Sequence, residues 1–263
     1  MVLDLEKRTY LFVTGASRGI GQRMAIEVSS KLKAGSMVVL LARNDQGLLN
    51  TKASIEALGR DLRVRTFSTD LALATAPQFR EMLEKSLKSL KMSDFERAII
   101  IHNAGTLGDV SKSAVDVPDN TIWQQYYHVN VFSVISLNCE FFRVFSGTPK
   151  VVVNITSKCA IEPFASMSFY CSGKAAREMY FRVLAAEQAL DNVIVLNYSP
   201  GPIDTDMTEQ IQRTSANKEL VAQFKMQRDT KSMLTTEQTT RKFIQVLQEQ
   251  KFKTGDHVDY YDE

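Results

Sequence analysis

A tyrosine and a lysine with a spacing suited to acid–base chemistry lie in the second half of the chain. Tyr170 and Lys174 are four residues apart, which puts them one turn apart on the same face of a helix. An ammonium group beside a phenol favours the phenolate, so this spacing predicts that Lys174 lowers the pKa of Tyr170. Ser157, 13 residues before the tyrosine, can donate a hydrogen bond to a substrate carbonyl, and Asn130 can hold a water behind the lysine. A tyrosine–lysine pair alone is not specific, so the argument depends on what accompanies it.

A glycine-rich turn follows the first apolar segment and precedes an amphipathic helix. Residues 14–21 read Thr-Gly-Ala-Ser-Arg-Gly-Ile-Gly. Glycines at this spacing let the backbone turn tightly and approach a pyrophosphate at the start of a helix. A plain turn is the alternative, but the position in a strand–helix unit favours a dinucleotide site. The residues predicted to bind the cofactor here are Gly15, Ala16, Ser17, Arg18, Gly19, Ile20 and Gly21.

The residues after the second strand bear on the choice of dinucleotide. NAD-binding folds tend to have an acid there, which holds the ribose 2′-hydroxyl. This chain has Ala42-Arg43-Asn44 instead, and Arg18 already stands in the glycine turn. Each arginine alone is more often a surface charge, but two guanidinium groups suit a 2′-phosphate. The sequence therefore predicts NADPH as the cofactor, with Arg43 and Asn44 in its site.

Two further motifs follow the third and fourth strands. Asp70-Leu71 can meet an adenine amino group, and the small residues of Asn103-Ala104-Gly105 would let the backbone pass beside a cofactor. Either could be simple turn chemistry. Both motifs fall at the carboxyl ends of strands, where ligands bind in parallel sheets, so we include Asp70, Leu71 and Asn103 in the predicted cofactor site.

The elements that position these residues are strands and helices in alternation, because short, continuous apolar runs are typical of parallel strands covered on both faces. The predicted strands are Tyr10–Val13, Met37–Ala42, Val64–Ser68, Ala98–His102, Lys150–Ile155, Val193–Tyr198 and His257–Tyr260. The predicted helices are 19–33, 45–59, 75–91, 121–145, 167–190 and 235–250. This order predicts an α/β fold with a parallel sheet and helices on both faces. We expect one domain over 1–263, with a dinucleotide-binding part at about 1–150 and a catalytic and substrate part at about 151–263.

Two of the predicted helices are apolar nearly all round. The segments 121–145 and 167–190 carry more large apolar side chains than one sheet face can cover. A helix with two apolar faces needs two partners. A thick monomer core is one explanation, and we favour the other, a second subunit that forms a symmetric homodimer.

Composition excludes several classes of protein. The chain has 263 residues, 44% of them hydrophobic and 24% charged, with a net charge of +2 and no basic block that would indicate nucleic acid. The longest apolar runs are far short of the ~20 residues that span a bilayer, and the first residues are acidic, unlike a signal peptide. Three cysteines without CxxC spacing do not suggest a disulfide framework. We expect a cytoplasmic protein without a nucleic-acid or membrane partner.

Together, the glycine turn, Asn103-Ala104-Gly105 and the serine–tyrosine–lysine group resemble the short-chain dehydrogenase/reductase family over the whole chain. The resemblance implies a seven-stranded Rossmann-type sheet and hydride transfer to or from a nicotinamide. It also implies that Tyr170 donates a proton, Lys174 binds the nicotinamide ribose, Ser157 orients the carbonyl and Asn130 completes a proton relay. His102 is a departure, since many members have a second asparagine there, and we expect it to alter local packing only.

Local strings at residues 107–112, 170–177, 196–207 and 251–262 resemble the pterin-reducing members of the family. That resemblance implies NADPH-dependent reduction of the side-chain carbonyls of 6-pyruvoyl-tetrahydropterin, which gives tetrahydrobiopterin, and of sepiapterin, which gives dihydrobiopterin. It makes Asp259 the anchor of the pterin ring, because a carboxylate can accept two hydrogen bonds from an amino group and a ring N–H. A solvated terminal acid is the plainer alternative.

The polar segment 201–234 covers nicotinamide and substrate in the family, and a surface excursion is the other interpretation. The resemblance adds Ile203, Thr205 and Met207 to the cofactor site. It gives a substrate site of Ser157, Lys158, Tyr170, Gly201 and Asp259. Two other functions stay open: a carbonyl reductase for other diketones or aldehydes, and a dinucleotide-sensing regulator on the same fold. A sensor needs no proton donor, so Ser157, Tyr170 and Lys174 argue against the second.

Overall fold

The computed structural model describes residues 3–88, 90–188 and 192–262. Its described strands form one seven-stranded parallel sheet in the order β3-β2-β1-β4-β5-β6-β7, which confirms the predicted Rossmann-type architecture. Every predicted strand is present, and no end differs by more than one residue. The strands are β1 (Thr9–Thr14), β2 (Met37–Ala42), β3 (Arg63–Ser68), β4 (Arg97–His102), β5 (Lys150–Ile155), β6 (Val193–Ser199) and β7 (His257–Asp259).

Helices connect the strands, as the alternating pattern predicts. They are α1 (Gly19–Ser29), α2 (Asp45–Glu56), α3 (Ala76–Leu87), α4 (Asn120–Tyr127), α5 (Ser133–Val144), α6 (Ser168–Glu187), α7 (Asp206–Thr214), α8 (Lys218–Asp229) and α9 (Thr236–Glu249). Residue 89 and residues 189–190, within the predicted helices 75–91 and 167–190, lie outside the described residues.

Two helical predictions need correction. The predicted single helix at 121–145 is α4 and α5, joined by a π-helical turn at His128–Phe132. The polar segment 201–234, for which no helix was predicted, contains α7 and α8. Both differences matter for the site, because the π-helical turn carries Asn130 and the two additional helices line the cavity that contains Ser157 and Tyr170.

The core consists of two layers, one on each face of the sheet. Side chains alternate along a strand, so Leu11 and Val13 of β1 face one layer while Tyr10 and Phe12 face the other. The first layer contains residues of α1, α2 and α9, and the second contains residues of α3, α5 and α6. With both faces covered, the polar residues that follow the strands collect at the carboxyl edge of the sheet. The strand order changes direction between β1 and β4, which is where ligands bind in such sheets.

Within the three described ranges, no helix combines the length and the apolar character needed to cross a membrane.

Candidate active site

The glycine turn is packed against the residues that follow β4. Gly15 has a φ of +68°, and a Cβ there would lie 2.7 Å from Asn103 Nδ2. The same Asn103 amide donates to the carbonyls of Thr14 at 3.1 Å and Gly15 at 3.3 Å. A side chain at Gly15 would therefore be strained by its backbone and would displace the asparagine. The glycine turn and the Asn103-Ala104-Gly105 segment, both predicted to bind the cofactor, are thus hydrogen-bonded to each other.

The start of α1 leaves room for an anion. The helix begins at Gly19, and a Cβ at this residue would meet nothing within 4 Å. Arg18 occupies the cap position without a side-chain cap hydrogen bond, so it does not satisfy the first backbone N–H groups. Free N–H groups at a helix start, with open space in front of them, fit a pyrophosphate. Ala16 is buried and lies in the turn with Ser17, while Ile20 and Gly21 are in the first turn of α1.

Arg18 has a partner that the sequence did not reveal. Its guanidinium forms an ion pair with Asp206, the first residue of α7, and both side chains are largely exposed at 74% and 66%. This pair bridges the glycine turn and the segment that borders the cavity. Exposed ion pairs are weak, so Arg18 remains available to a phosphate that competes with Asp206.

The other predicted residues of the nucleotide end lie at the carboxyl edge of the sheet. Arg43 is exposed directly after β2. The side chain of Asn44 caps α2, where it accepts a hydrogen bond from Gly47 N at 2.9 Å. Asp70 is exposed and accepts from Ala72 N at 3.0 Å, while Leu71 is buried. Asn44 and Asp70 thus also stabilise local turns.

Ser157, Tyr170 and Lys174 come together at the end of β5. Lys174 is buried, and its Nζ donates to the carbonyl of Ile155, the last residue of β5, at 2.6 Å. Nζ lies 5.4 Å from the ring centre of Tyr170. The hydroxyl of Ser157 accepts from Cys159 N at 3.2 Å, which fixes the serine at the start of a short 3-10 turn.

The pKa of Tyr170 is raised in this structure, whereas the tyrosine–lysine spacing predicted that it is lowered. Burial, the largest cause, raises the pKa of Tyr170 above its usual value, although Arg177 and the Ser157 hydroxyl oppose the shift. The pKa of Lys174 is itself held well below its usual value, first by burial and then by the positive charge of Arg177. The spacing of residues along a helix does not show how deeply they are buried. Here the effect of burial on the pKa of Tyr170 outweighs that of the positive charge of Arg177.

Asn130 lies in the π-helical turn, and its side chain is used locally. Nδ2 donates to the Tyr126 carbonyl at 2.9 Å and to the Thr106 hydroxyl at 3.0 Å, while Oδ1 accepts from Thr106 N at 2.7 Å. An amide oxygen has two lone pairs, so one acceptor position on Oδ1 remains. Single π-helical turns often occur at functional sites.

A cavity of about 770 Å³ opens beside Ser157 and Tyr170. Its walls include Ser157, Tyr170 and, from the last strand, Asp259. The other predicted substrate residues, Lys158 and Gly201, also line it. So do the three cofactor residues predicted in the 201–234 segment, Ile203, Thr205 and Met207. Helix α8 contributes Phe224, so the segment predicted to cover the site does border it. A smaller cavity of about 470 Å³ near the start of β5 contains none of the predicted residues.

Asp259 presents a partly engaged carboxylate to this cavity. Oδ2 accepts the Ser199 hydroxyl at 2.6 Å, and Oδ1 accepts Tyr261 N at 3.1 Å. The side chain is half-buried at the end of β7, so it is not a freely solvated terminal acid. Each oxygen retains a lone pair for a ligand.

Comparison with known proteins agrees with this geometry. The model of the short chain dehydrogenase family matches residues 9–216, which include the glycine turn and the serine–tyrosine–lysine group. The chain belongs to the short-chain dehydrogenase family. It is therefore an oxidoreductase.

Within the short-chain dehydrogenases, the chain is similar to a sepiapterin reductase of Bos taurus, with 38% identity over 97% of this chain and 96% of the relative. It is more distantly similar to a benzil reductase of Bacillus subtilis, with 28% identity over 84% of this chain and 86% of the relative. A short-chain dehydrogenase of Shigella flexneri, solved in complex with NADP, has the same fold, with a TM-score of 0.77 and 24% identity over 98% of this chain and 99% of that one.

Three polar residues near the site of this short-chain dehydrogenase were missed from the sequence. Arg177 is 1% exposed and donates to the carbonyls of His102 and Ala104. Glu178, which is buried, and His257, which is half-buried, form a side-chain pair between α6 and β7. The positions of Arg177 and Glu178, one turn beyond Lys174 on α6, were a signal that could have drawn attention to them.

Proposed function

We propose that the chain reduces the side-chain carbonyls of pterins with NADPH. The substrates are 6-pyruvoyl-tetrahydropterin, which becomes tetrahydrobiopterin, and sepiapterin, which becomes dihydrobiopterin. The observation that carries the proposal is the half-buried carboxylate of Asp259 in the same cavity as Ser157 and Tyr170. The similarity to a sepiapterin reductase over nearly the whole chain supports it.

The catalytic residues act on the substrate oxygen. Ser157 donates a hydrogen bond to the carbonyl, and Tyr170 transfers its phenolic proton to that oxygen as it becomes an alcohol. Because burial keeps the Tyr170 phenol protonated, the residue is ready to act as an acid. Lys174 holds the nicotinamide ribose, and Asn130 uses its remaining acceptor position for a water that returns the proton to Tyr170.

The cofactor is NADPH, which supplies the hydride when bound. The open space before Gly19 receives the pyrophosphate, and Arg18 and Arg43 receive the 2′-phosphate. Asp70 and Leu71 lie beside the adenine. Asn44 and Asn103 shape the turns, and Ile203, Thr205 and Met207 cover the nicotinamide end of the cavity.

Asp259 fixes the orientation of the substrate. Its two oxygens accept hydrogen bonds from the amino group and ring N–H of the pterin, so that the side-chain carbonyl points toward Tyr170. Lys158 and Gly201 border the same space. The pterin ring is flat and largely apolar on its faces, which suits the apolar walls of the cavity. Holding the ring at its far end makes positioning a main source of rate.

We also propose a homodimer and a cytoplasmic location. Phe132, Met179 and Val183 are 50%, 56% and 47% exposed on the outer side of the α5 and α6 region, and large exposed apolar side chains mark association surfaces. The cysteines Cys139, Cys159 and Cys171 are free, which fits a reducing compartment. The chain acts as one domain over 1–263, with no nucleic acid or membrane as partner.

The first test is NADPH consumption by the purified protein with sepiapterin, with diacetyl and NADH as comparisons. Rapid turnover of sepiapterin with a preference for NADPH is expected. The apolar cavity and the similarity to a benzil reductase favour a second candidate, a reductase for small diketones. Turnover of diacetyl without turnover of sepiapterin would replace the first candidate by the second.

A further inference from the structure

A pair of largely buried side chains, Glu178 and His257, joins α6 to β7, the last strand of the sheet. The His257 ring nitrogen Nδ1 lies 2.9 Å from Glu178 Oε2, and the two side chains are 15% and 4% exposed. The same carboxylate oxygen accepts the Thr156 hydroxyl at 2.6 Å. One acidic side chain on α6 therefore holds both the residue after β5 and a residue of β7.

This pair lies between the two ends of the proposed substrate site. Glu178 follows Lys174 by four residues on α6, so both lie on one side of that helix. Thr156 immediately precedes Ser157, and His257 precedes Asp259 by two residues, so His257 and Asp259 share one face of β7.

Strand β7 is held to β6 by backbone pairing and by the Ser199–Asp259 hydrogen bond, and the Glu178–His257 contact adds a tie to α6. It has three residues, lies at the edge of the sheet and pairs only with β6. A buried charge that loses its partner is costly, so a pair at this depth strongly favours one spacing of its two elements. The distance between α6 and β7 in turn affects the distance between Tyr170, on α6, and the Asp259 carboxylate, at the end of β7.

We propose that Glu178 and His257 are positioning residues that set the distance between the Ser157–Tyr170 end of the cavity and the Asp259 carboxylate. The proposal rests on the proposed function, in which Asp259 anchors a pterin. Neither side chain belongs to the Ser157–Tyr170–Lys174 group, although His257 lies in the wall of the cavity, where Glu178 holds it from α6. Their effect is on how well a substrate held at both ends fits, so a small substrate that does not reach Asp259 is nearly insensitive to them.

The strength of the Glu178–His257 contact depends on pH, because His257 can lose its proton. The charged groups that face His257 are Glu178 from α6 and Asp259 and Asp262 near the end of the chain. Burial lowers the pKa of His257, but the hydrogen bond to Glu178 and these three negative charges outweigh it, so the pKa is raised above the usual value of 6.5. A raised pKa means that the charged pair is complete at low pH and loses strength as the pH rises through the folded-state value.

The test compares three variants with the unmutated enzyme on sepiapterin and diacetyl, with saturating NADPH. His257→Ala removes the tie, Glu178→Gln removes its charge, and His257→Asn keeps a side-chain N–H without a titrating group. We expect His257→Ala to lower kcat/KM for sepiapterin roughly ten- to a hundredfold, mainly through KM, because misplacement of about 1 Å has effects of that size. For diacetyl the change should stay within about threefold.

His257→Asn separates positioning from general stability. It should recover most of the sepiapterin activity at neutral pH. It should also abolish the fall in kcat/KM that the unmutated enzyme shows as the pH rises through the raised pKa of His257. Thermal unfolding and NADPH binding, measured on every variant, identify any protein that has not folded. Glu178→Gln tests the same contact from the carboxylate side and should also lower kcat/KM for sepiapterin more than for diacetyl.

The outcomes distinguish this proposal from the function on which it rests. If the unmutated enzyme reduces sepiapterin but folded His257→Ala and Glu178→Gln lose equally on both substrates, the positioning role is refuted and the pterin activity stands. An unaltered pH profile in His257→Asn would also overturn it. If the unmutated enzyme does not reduce sepiapterin, the proposed function fails first and the positioning role fails with it.

Discussion

Replacing Asp259 by asparagine tests the proposed anchor with the least change in shape. Oδ2 of Asp259 accepts the Ser199 hydroxyl at 2.6 Å and Oδ1 accepts Tyr261 N at 3.1 Å, which leaves one lone pair on each oxygen. Asparagine keeps one of these acceptors. If the asparagine NH₂ group faces the substrate, it offers a donor where the pterin needs an acceptor. If it faces Ser199 instead, the Ser199 hydroxyl loses the oxygen to which it donates.

The expected loss follows from two hydrogen bonds to a charged acceptor, each contributing about 1.5–3 kcal/mol. Removing the charge and one acceptor should cost about 2–4 kcal/mol of transition-state binding, which corresponds to roughly 30- to 1,000-fold in kcat/KM for sepiapterin. Diacetyl has neither an amino group nor a ring N–H, so its kcat/KM should change by less than about threefold.

The assay is steady-state NADPH oxidation with each substrate, and Asp256→Asn is the matched control. Asp256 is an exposed acid three residues earlier, and its carboxylate accepts only Lys253 N, at 2.8 Å, among the hydrogen bonds seen. Thermal unfolding checks that the turn held by Asp259 persists. The reasoning is refuted if Asp259→Asn reduces sepiapterin within about threefold of the unmutated rate, or if it loses as much on diacetyl as on sepiapterin.

Four further outcomes are expected. Tyr170→Phe should lower kcat by at least about a hundredfold with NADPH affinity nearly unchanged in a binding titration, and a variant with full turnover would remove the tyrosine as proton donor. Arg43→Ala should reduce the NADPH-over-NADH preference in kcat/KM by about tenfold or more, since a charge-assisted contact to a phosphate is lost, and an unchanged ratio would transfer the role to Arg18. Asp206→Asn frees Arg18 from an exposed ion pair and should tighten NADPH binding, but not NADH binding, by up to about fivefold, so equal effects on both cofactors would contradict the competition. Met179→Glu should shift sedimentation from dimer toward monomer, because an exposed apolar side chain of the proposed interface becomes charged, and a protein that is monomeric before the change would disprove the dimer.

The parts of the fold that local patterns encode were predictable from the sequence. The strands are continuous apolar runs because both faces of the sheet are covered, and the turn after β1 depends on glycines that no other residue replaces easily. Helices α7 and α8 were missed because they bury few residues. Only Thr208 and Ile211 of α7 and Leu220 of α8 are buried, so the apolar side of each helix is narrow in a segment that is polar overall.

The parts of the site that depend on burial or on distant pairs were not predictable. The sequence brought Tyr170 and Lys174 together correctly, but the sign of the pKa shift on Tyr170 depends on how deeply the pair is buried. Glu178 and His257 are 79 residues apart in sequence, so no local pattern connects them. The π-helical turn at Asn130 likewise has no signal in a sequence that is apolar on most sides.

The buried cation next to the catalytic pair suggests why the site suits reduction. Arg177 is held by two backbone carbonyls and the side-chain oxygen of Asn154, so its charge is fixed in place although burial lowers its pKa to about 10. That charge disfavours a second positive charge on Lys174 and only partly offsets the effect of burial on Tyr170. The phenol therefore keeps its proton at neutral pH. Reduction of a carbonyl needs a protonated group at this position, and the Tyr170 phenol meets that requirement.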